Sequence, residues 1–530
     1  MACGYLLPMS KPRPETNRRR RLAVLPGLVA FALLAWQLDF LTDDAYISFR
    51  YARNFAEGHG LRYNLTLGGP VEGYSNFLWV VWLGLLDRVG LEPPLWSRVS
   101  SVACGFLLVA WVTRHAAKKL ELDGPGEVAT GLVFATLPPV AVWATGGLAT
   151  MATALFVFGA YERLLGNPER PRGFQAGVFA ALAGLIRADG ALWIAFLGAA
   201  ALLVWWLRGR ERRLFGATVK MGTILLLAVG AHVAWRLSYY GDWLPNTARV
   251  KAGFSSHRLE RGVDYLAATL LSAPALLAAG GAALAALGGR AREMVIVALV
   301  VLLPTGAYAV YVGGDFMPMG RFLFPAAGFV GLLFAAAWSR LQRGPALGLA
   351  AVLVAVNVAG CFDWNVVPAS LRSRFHFRQD REWESELSMQ RGMNERAAHW
   401  ALQGRALARV VEPGETMSLG AIGAMGYHSR LEIYDSYGLV TPSVIEAVEP
   451  LERSSPGHDR RVGPMFFNDR QPTYAGSILV RRDKSFEDQL GGFDEHPLSK
   501  LVRLEHHPLG EVDGFQPGDE LVVLRFVRWE

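Results

Sequence analysis

The sequence predicts a mainly α-helical membrane protein with many spans, followed by a water-soluble α/β domain. The 530-residue chain is 52% hydrophobic and only 19% charged, which is too few charges for an ordinary soluble protein of this size. Long apolar runs fill the first two thirds, and charges become frequent only after about Phe362. We therefore predict a cytoplasmic basic N-terminus (1–21), a transmembrane domain (22–362) and a soluble C-terminal domain (363–530).

The transmembrane domain is predicted from segments that approach the length of about 20 apolar residues needed to cross a bilayer. The candidate spans are 22–41, 97–115, 127–144, 147–165, 174–188, 190–207, 216–238, 266–287, 293–312, 321–338 and 345–362. A further apolar segment, 73–90, could cross the membrane or lie in its interface.

The distribution of basic residues indicates that segment 73–90 does not cross. With the cluster Arg18–Arg21 in the cytoplasm, the later short loops that are rich in Arg and Lys then all lie on the same side, as the positive-inside rule requires. We therefore predict about eleven spans, a first external loop (42–96) with juxtamembrane helices, and an external C-terminal domain. Because topology explains the net charge of +7, we expect no nucleic acid partner.

The first external loop is predicted to begin with an amphipathic helix. Thr42 is a good N-cap, Asp43 and Asp44 suit the positive end of the helix dipole, and Gly58 and Gly60 would end the helix. Capping alone could explain the two acids. A carboxylate at the mouth of a membrane cavity can also act as a general base for a hydroxyl group, and the residues leave open which aspartate would do so.

Other polar residues of the predicted external face form the rest of a candidate substrate-binding site, since ionisable groups near membrane depth are costly and often functional. They are Arg50, Glu72, Tyr74, Asn76, Arg187, Asp189, Asn246, Lys251, Asp315, Arg321 and, in the C-terminal domain, His428. Lys251, Arg321 and Arg187 could bind an anion such as phosphate, or could extend to the membrane interface. Asp189 with Arg187, and Asp315 with Arg321, could instead be structural ion pairs.

The C-terminal region shows separate helix and strand signals. Apolar residues recur at helical spacing in 381–411, a buried strand and a glycine-rich turn are predicted in 416–429, and the last residues alternate like a strand. The three cysteines are too widely spaced for a disulfide framework or a metal cage. His428 could grip a ligand or could simply support the fold.

Several segments together resemble a known family. They are TDDAYISFRYARNFAEGHGLRYN (Thr42–Asn64), VEGYSNFLW (Val71–Trp79), YYGDWLPNT (Tyr239–Thr247), GGDFMPMGRFLFP (Gly313–Pro325) and GAIGAMGYHSRLEIYDSYGLV (Gly420–Val440). These resemble the GT-C superfamily of polyprenyl-phosphate-sugar-dependent glycosyltransferases, and most narrowly the mycobacterial-type terminal β-(1→2) arabinofuranosyltransferases. The resemblance implies a GT-C fold in the bacterial cytoplasmic (inner) membrane, with the active site on the extracytoplasmic side.

The resemblance also implies a chemistry. The donor would be a sugar on a polyprenyl phosphate within the membrane lipid, with arabinofuranose as the first expectation, and the acceptor a cell-envelope glycan. Asp43 or Asp44 would be the catalytic base, with Asp43 slightly preferred, and Lys251 and Arg321 would stabilise the leaving phosphate. No cofactor is required by the sequence, although the superfamily allows a divalent cation.

Two departures from the family pattern bear on substrate specificity. GLATM (Gly147–Met151) lacks an acid that relatives would have, and IRADG (Ile186–Gly190) replaces a more common T-R-P-D/E-G. Another lipid-linked sugar such as mannose is therefore an alternative. A transporter or flippase of lipid-linked sugars is a second alternative, but the polar motifs gather on one face and no inverted repeat is present.

Overall fold

The computed structural model describes residues 22–250, 255–379, 382–451, 454, 456–483, 485, 488–489, 491–511 and 514–527. The helices up to residue 361 are α1 (Leu25–Gln37), α2 (Asp43–Ala56), α3 (Phe77–Asp87), α4 (Pro93–Leu120), α5 (Gly124–Ala135), α6 (Pro138–Val142), α7 (Thr150–Leu165), α8 (Gly173–Ile186), α9 (Gly190–Leu207), α10 (Arg212–Tyr240), α11 (Asn246–Val250), α12 (Ser256–Ser272), α13 (Ala275–Ala286), α14 (Arg292–Tyr311), α15 (Ala327–Trp338) and α16 (Arg343–Cys361).

The membrane region has the mainly helical, polytopic architecture that the sequence predicts. By length and composition, five described helices are long and apolar enough to cross a bilayer, namely α4, α9, α10, α14 and α16. The pair α12–α13 adds a sixth if it counts as one broken span, and α1, α3, α8 and segment Phe324–Trp338 are apolar but shorter. The total of about eleven spans stays a prediction.

Two predicted spans are not continuous helices. In segment 127–144, α5 ends at Ala135 and Pro138 begins the short α6, because proline cannot continue the hydrogen-bond ladder of a helix. In segment 266–287, α12 and α13 meet at an angle of 89°, with Pro274 as the residue that precedes α13. Each of these two predicted spans therefore contains two helices.

Helix α3 is the helical part of segment 73–90, and the expectation that this segment does not cross the membrane stays a prediction. It contains 11 residues, which is about half of the number needed for a span. Gly84 of α3 lies so close to α2 that an added methyl group would be 2.8 Å from the carbonyl oxygen of Ala52. The two helices of the first external loop therefore form one tightly packed unit.

The C-terminal region is a compact α/β domain, as predicted. Its elements are α17 (Ala369–Arg372), β1 (Arg378–Gln379), β2 (Glu382–Trp383), α18 (Glu386–Val410), β3 (Thr416–Leu419), α19 (Gly423–Ser429), β4 (Glu432–Asp435), α20 (Ser443–Ala447), β5 (Tyr474–Val480), β6 (Val502–Pro508) and β7 (Glu520–Phe526). The main sheet has the order β4-β3-β5-β7-β6. Strand β3 is parallel to both of its neighbours, and β5, β7 and β6 are antiparallel.

The first external loop and the C-terminal domain share one hydrophobic core. Phe49 and Tyr63 of the loop belong to the same buried cluster as Met417 and Ile433 of the sheet. The Glu432 carboxylate of β4 also accepts hydrogen bonds of 2.9–3.1 Å from the backbone amides of residues 65–67. The predicted boundary at residue 363 thus divides the chain but does not divide this core.

Candidate functional site

A cavity of about 1110 Å³ lies between the membrane region and the C-terminal domain. Its wall combines α2, the chain around residues 73–76, the turn between α8 and α9, the polar face of α12, and parts of the C-terminal domain. Of the residues predicted from sequence, Asp43, Asp44, Tyr74, Asn76, Arg187, Asp189 and Arg321 line it. The structure therefore gathers residues from four distant parts of the sequence at one place.

Helix α2 presents the two aspartates to this cavity because its first turn is fixed. The Thr42 hydroxyl accepts a hydrogen bond of 3.2 Å from the amide of Ala45 and donates one of 3.3 Å to the carbonyl of Gly146. The predicted N-cap is confirmed, since such side-chain oxygens satisfy the free amides of a first helical turn. The second hydrogen bond anchors the start of α2 to the membrane region.

The Asp43 carboxylate is held by the C-terminal domain. Its two oxygens accept hydrogen bonds from the backbone amides of Ala424, at 2.7 Å, and Gly423, at 3.1 Å. Burial raises the pKa of Asp43 to about 7, although the two amides oppose this shift and the nearby charge of Asp44 adds to it. Asp43 thus connects the start of α2 to the start of α19.

The Asp44 carboxylate has a different environment. It lines the same cavity, and it makes no hydrogen bond or ion pair with any residue that the structure describes. A carboxylate that faces a cavity with no partner is available to take a proton from a bound hydroxyl group. Of the two aspartates, Asp44 therefore has the carboxylate without a partner among the described residues, whereas the sequence left the choice of base open with a slight preference for Asp43.

The chain around residue 75 connects α2 to the ends of the apolar helices. Asn76 forms a hydrogen bond of 3.0 Å with the hydroxyl of Ser48, one turn after Asp44. The Tyr74 hydroxyl lies 3.1 Å from that of Tyr240. These contacts fix the wall opposite the C-terminal domain and leave the cavity open between them.

Two of the predicted arginines form ion pairs at the cavity wall. Arg187 donates two hydrogen bonds, of 2.8 and 2.6 Å, to Asp189. Arg321 donates two, of 2.5 and 3.0 Å, to Asp315. Both pairs have the two-pronged geometry of strong arginine–carboxylate contacts. The structural pairing that the sequence left open therefore exists, and it reduces the free positive charge of both arginines.

Four other predicted residues do not line the cavity and instead form contacts with other residues of the chain. Arg50 is 5% exposed and donates to the carbonyls of Tyr63, Gly426 and Leu431, at 2.6–2.9 Å. Arg50 therefore contacts the C-terminal domain and does not line the cavity. Glu72 pairs with Arg236 at 2.5 Å, and Asp315 pairs with Arg321. Asn246 donates to the carbonyls of Gly438 and Leu439, at 2.8 and 2.7 Å.

His428 and Lys251 complete the predicted set. His428 packs against the rings of Tyr46 and Tyr427, with ring centroids 5.6 and 5.0 Å apart. Its burial lowers the pKa of the imidazole to about 4, so the side chain is neutral near pH 7. Lys251 lies outside the described residues. Direct contact of these residues with a substrate stays a prediction.

Sequence reasoning missed the contribution of α12 to the wall. His257, Arg261 and Asp264 line the cavity at intervals of four and three residues along α12, a spacing that places them on one face of a helix. This periodicity was available in the sequence. Arg261 pairs with Asp459 at 3.2 Å, a contact that joins α12 to the C-terminal domain.

Three further arginines of the wall are exposed. Arg378, Arg396 and Arg461 line the cavity and make no ion pair within the part of the chain that the structure describes. Arg461 lies over the ring of Tyr437, 5.9 Å from its centroid. Unpaired guanidinium groups in a cavity favour an anionic ligand such as a phosphate.

The described residues contain no group of three or more His, Cys, Asp or Glu side chains that could hold a metal ion. The two acids at the head of α2 do not form such a group, since the Asp43 oxygens bind backbone amides.

Comparison with solved structures defines the class of fold. The structure superposes on ArnT from Cupriavidus metallidurans, both in the apo state and bound to undecaprenyl phosphate, with a TM-score of 0.57, over 96% of this chain and 98% of that chain, at 13% identity. The protein therefore shares the fold of ArnT.

The sequence comparisons are more local. Over 260 residues the chain is 27% identical to the terminal β-(1→2)-arabinofuranosyltransferase of Mycobacterium tuberculosis, a match that covers 46% of this chain and 40% of that protein. The chain thus matches less than half the length of this curated relative. A family described as a domain of unknown function (DUF8728) matches residues 387–511, which run from α18 to the loop after β6.

Proposed function

We propose that this protein is an integral-membrane glycosyltransferase that uses a polyprenyl-phosphate sugar as donor and a hydroxyl of a cell-envelope glycan as acceptor. The observation that carries the proposal is the unpaired Asp44 carboxylate at the head of α2, which opens on a large cavity whose wall is rich in arginine. The GT-C fold and the similarity to an arabinofuranosyltransferase support this reading.

The proposed reaction needs one base and one stabilised leaving group. Asp44 removes the proton from the acceptor hydroxyl, the hydroxyl oxygen attacks the anomeric carbon, and the bond from that carbon to the phosphate oxygen breaks. The electron pair of that bond leaves with polyprenyl phosphate. Because only Asp44 of the two acids has an open carboxylate, we propose direct displacement with inversion at the anomeric carbon.

The leaving phosphate requires positive charge that is not already neutralised. Arg187 and Arg321 each share their charge with an aspartate. We therefore assign this role first to the unpaired Arg378 and Arg461, with the paired arginines as hydrogen-bond donors at the membrane side of the cavity. Lys251 remains a candidate from the sequence.

The location and the sugar are finer parts of the proposal. The positive-inside distribution of Arg and Lys supports an active site on the extracytoplasmic side of the bacterial cytoplasmic membrane. Polyprenyl-phosphate sugars suit that side, since nucleotide sugars are not normally available there. Arabinofuranose is the first candidate sugar because the curated relative transfers it by name, and mannose is the alternative.

A donor panel tests the proposal. The purified protein is reconstituted with polyprenyl-phosphate arabinofuranose or mannose and with cell-envelope glycan, and release of free polyprenyl phosphate is measured. We expect release from one donor only, dependent on acceptor, with an inverted linkage in the product by NMR. Binding of the donors without release from any of them would contradict the proposed activity and would favour a transporter.

A further inference from the structure

One face of α18 forms part of the cavity wall. Met389, Met393, Arg396 and Trp400 all line the cavity, and their intervals of four, three and four residues place them on one side of the helix. These four residues are called the α18 face below. No signal in the sequence distinguished them from ordinary residues of an amphipathic helix that packs on a sheet.

The α18 face carries hydrogen-bond donors that the protein does not use. Within the described residues, the Arg396 guanidinium contacts only the sulfur of Met389, at 3.5 Å, and no carboxylate. The indole N–H of the half-buried Trp400 donates to no acceptor among the same residues. Because Arg396 is exposed and both side chains line the cavity, their donors are accessible to a ligand there.

The position of the α18 face is fixed relative to the proposed base. Gln390 donates a hydrogen bond of 3.2 Å to the carbonyl of Leu38, and Asn394 accepts one of 3.1 Å from the amide of Leu41. Each of these two residues directly follows a methionine of the α18 face in the sequence. The helix is therefore attached to the segment that leads directly into Asp44, and Asp44 and the α18 face line the same cavity.

The chemistry of the face matches a sugar ring. The flat indole ring offers an apolar surface to the C–H groups of a sugar, and its N–H group and the guanidinium offer donors to hydroxyl oxygens. The methionines adjoin these groups with flexible apolar side chains that adapt to irregular shapes. The turn between the apolar helices α8 and α9 lines another part of the same cavity, and we assign the lipid-linked donor to that part.

We infer that the α18 face is the acceptor subsite, with Trp400 as the stacking surface for the acceptor sugar and Arg396 as the donor to its hydroxyl groups. This inference rests on the proposed function, because it is the acceptor of that reaction that the face receives. It assigns donor and acceptor to different parts of the wall of one cavity, which Asp44 also lines.

The kinetic test compares Arg396→Ala and Trp400→Ala with wild type in the reconstituted transfer reaction. Arg391→Ala is the matched control, since Arg391 is exposed on the same helix and does not line the cavity. We expect each of the two variants to raise the acceptor KM by about tenfold, as the loss of one stacking or charged hydrogen-bond contact predicts. The donor KM should stay unchanged, and Trp400→Phe should restore most of the acceptor affinity. An unchanged acceptor KM, or a rise in the donor KM instead, would overturn the inference.

A binding test separates this inference from the proposed function. Oligosaccharides that end in arabinofuranose or mannose are added to the detergent-solubilised full chain, and saturation-transfer NMR reports contact with the sugar protons. We expect wild type and Arg391→Ala to bind the oligosaccharides and Trp400→Ala and Arg396→Ala to lose this binding. That result supports the α18 face as the acceptor subsite even if no donor is turned over. In that case only the proposed function fails. Absence of binding to wild type, or equal binding by all variants, overturns the inference. Size-exclusion profiles and the Trp400→Phe variant exclude a folding defect.

Discussion

Asp43 and Asp44 are neighbours in the chain, but their carboxylates have different surroundings. Asp43 accepts two backbone amides of α19, whereas Asp44 faces the cavity without a partner among the described residues. The first arrangement positions a helix and the second leaves a group free for chemistry. The two adjacent acids therefore have different roles: Asp43 positions a helix, and Asp44 is the proposed base.

The pKa of Asp43 predicts a specific pH dependence of stability. Burial raises this pKa from 3.8 to about 7 in the folded protein, so folding favours the protonated carboxyl. Its stabilising contribution is complete below the unfolded pKa of 3.8 and is lost as the pH rises through about 7. Relative to Asp43→Asn, which is neutral at every pH, wild type should lose thermal stability over this interval.

The measurement is the unfolding temperature of both proteins in detergent at several pH values. Asp435, whose pKa burial raises to about 6, is present in both proteins, so the difference between them isolates Asp43. A difference in unfolding temperature that does not change with pH would contradict the assignment.

Arg50 gives a second prediction at the residue scale. Its guanidinium serves three backbone carbonyls, two of which belong to the C-terminal domain. Arg50→Lys cannot reach all three, and the free energy of unfolding should fall by about 2–4 kcal/mol because buried carbonyls lose their donors. Denaturation in detergent measures this loss. If Arg50 instead binds substrate directly, the donor or acceptor KM of the folded variant would rise while stability stayed near that of wild type.

At the scale of elements, the contact between α2 and α19 requires a glycine. A methyl group on Gly423 would lie 2.7 Å from the carboxyl carbon of Asp43 and closer still to its backbone oxygen. We expect Gly423→Ala to lower the free energy of unfolding by about 1–3 kcal/mol, since overpacking forces the two helices apart. Gly463→Ala is the control, because that glycine has open space around it and an ordinary negative φ. Equal unfolding temperatures for the two variants would show that α2 and α19 are not in close contact.

The elements that sequence predicted best are those with local signals. The Thr42 cap, the helix in 386–410 and the last strand follow from residues within one or two turns of each other. The bend at Pro274 was missed because the apolar run continues across it, and composition alone does not reveal a change of direction.

At the scale of the whole molecule, the site could be predicted only in part. The sequence indicated that polar motifs of the external face meet, and several of them do line one cavity. It could not show that Arg50 reaches Gly426 and Leu431, which lie 376 and 381 residues further along the chain. Nor could it show the α18 face, because its role depends on where the C-terminal domain docks on α2.

The predicted topology is testable in intact cells. Cys3, Cys104 and Cys361 are replaced by serine, and a single cysteine is introduced by Asp469→Cys or Glu211→Cys, both at exposed positions. A membrane-impermeant maleimide should label residue 469 of the C-terminal domain and not residue 211, which lies between α9 and α10 among basic residues. Labelling at 211 only would reverse the orientation and contradict an extracytoplasmic site.

The central claim is that Asp44 is the base of a glycosyl transfer in this cavity. The most direct measurement is acceptor-dependent release of polyprenyl phosphate by Asp44→Asn, compared with wild type and with Asp469→Asn, a change at an exposed acid outside the cavity. We predict that Asp44→Asn lowers kcat by about 10²-fold or more and leaves donor binding intact. The kcat of Asp469→Asn should stay near that of wild type. Wild-type turnover by Asp44→Asn would contradict the account and would return the role of base to Asp43 or to another group.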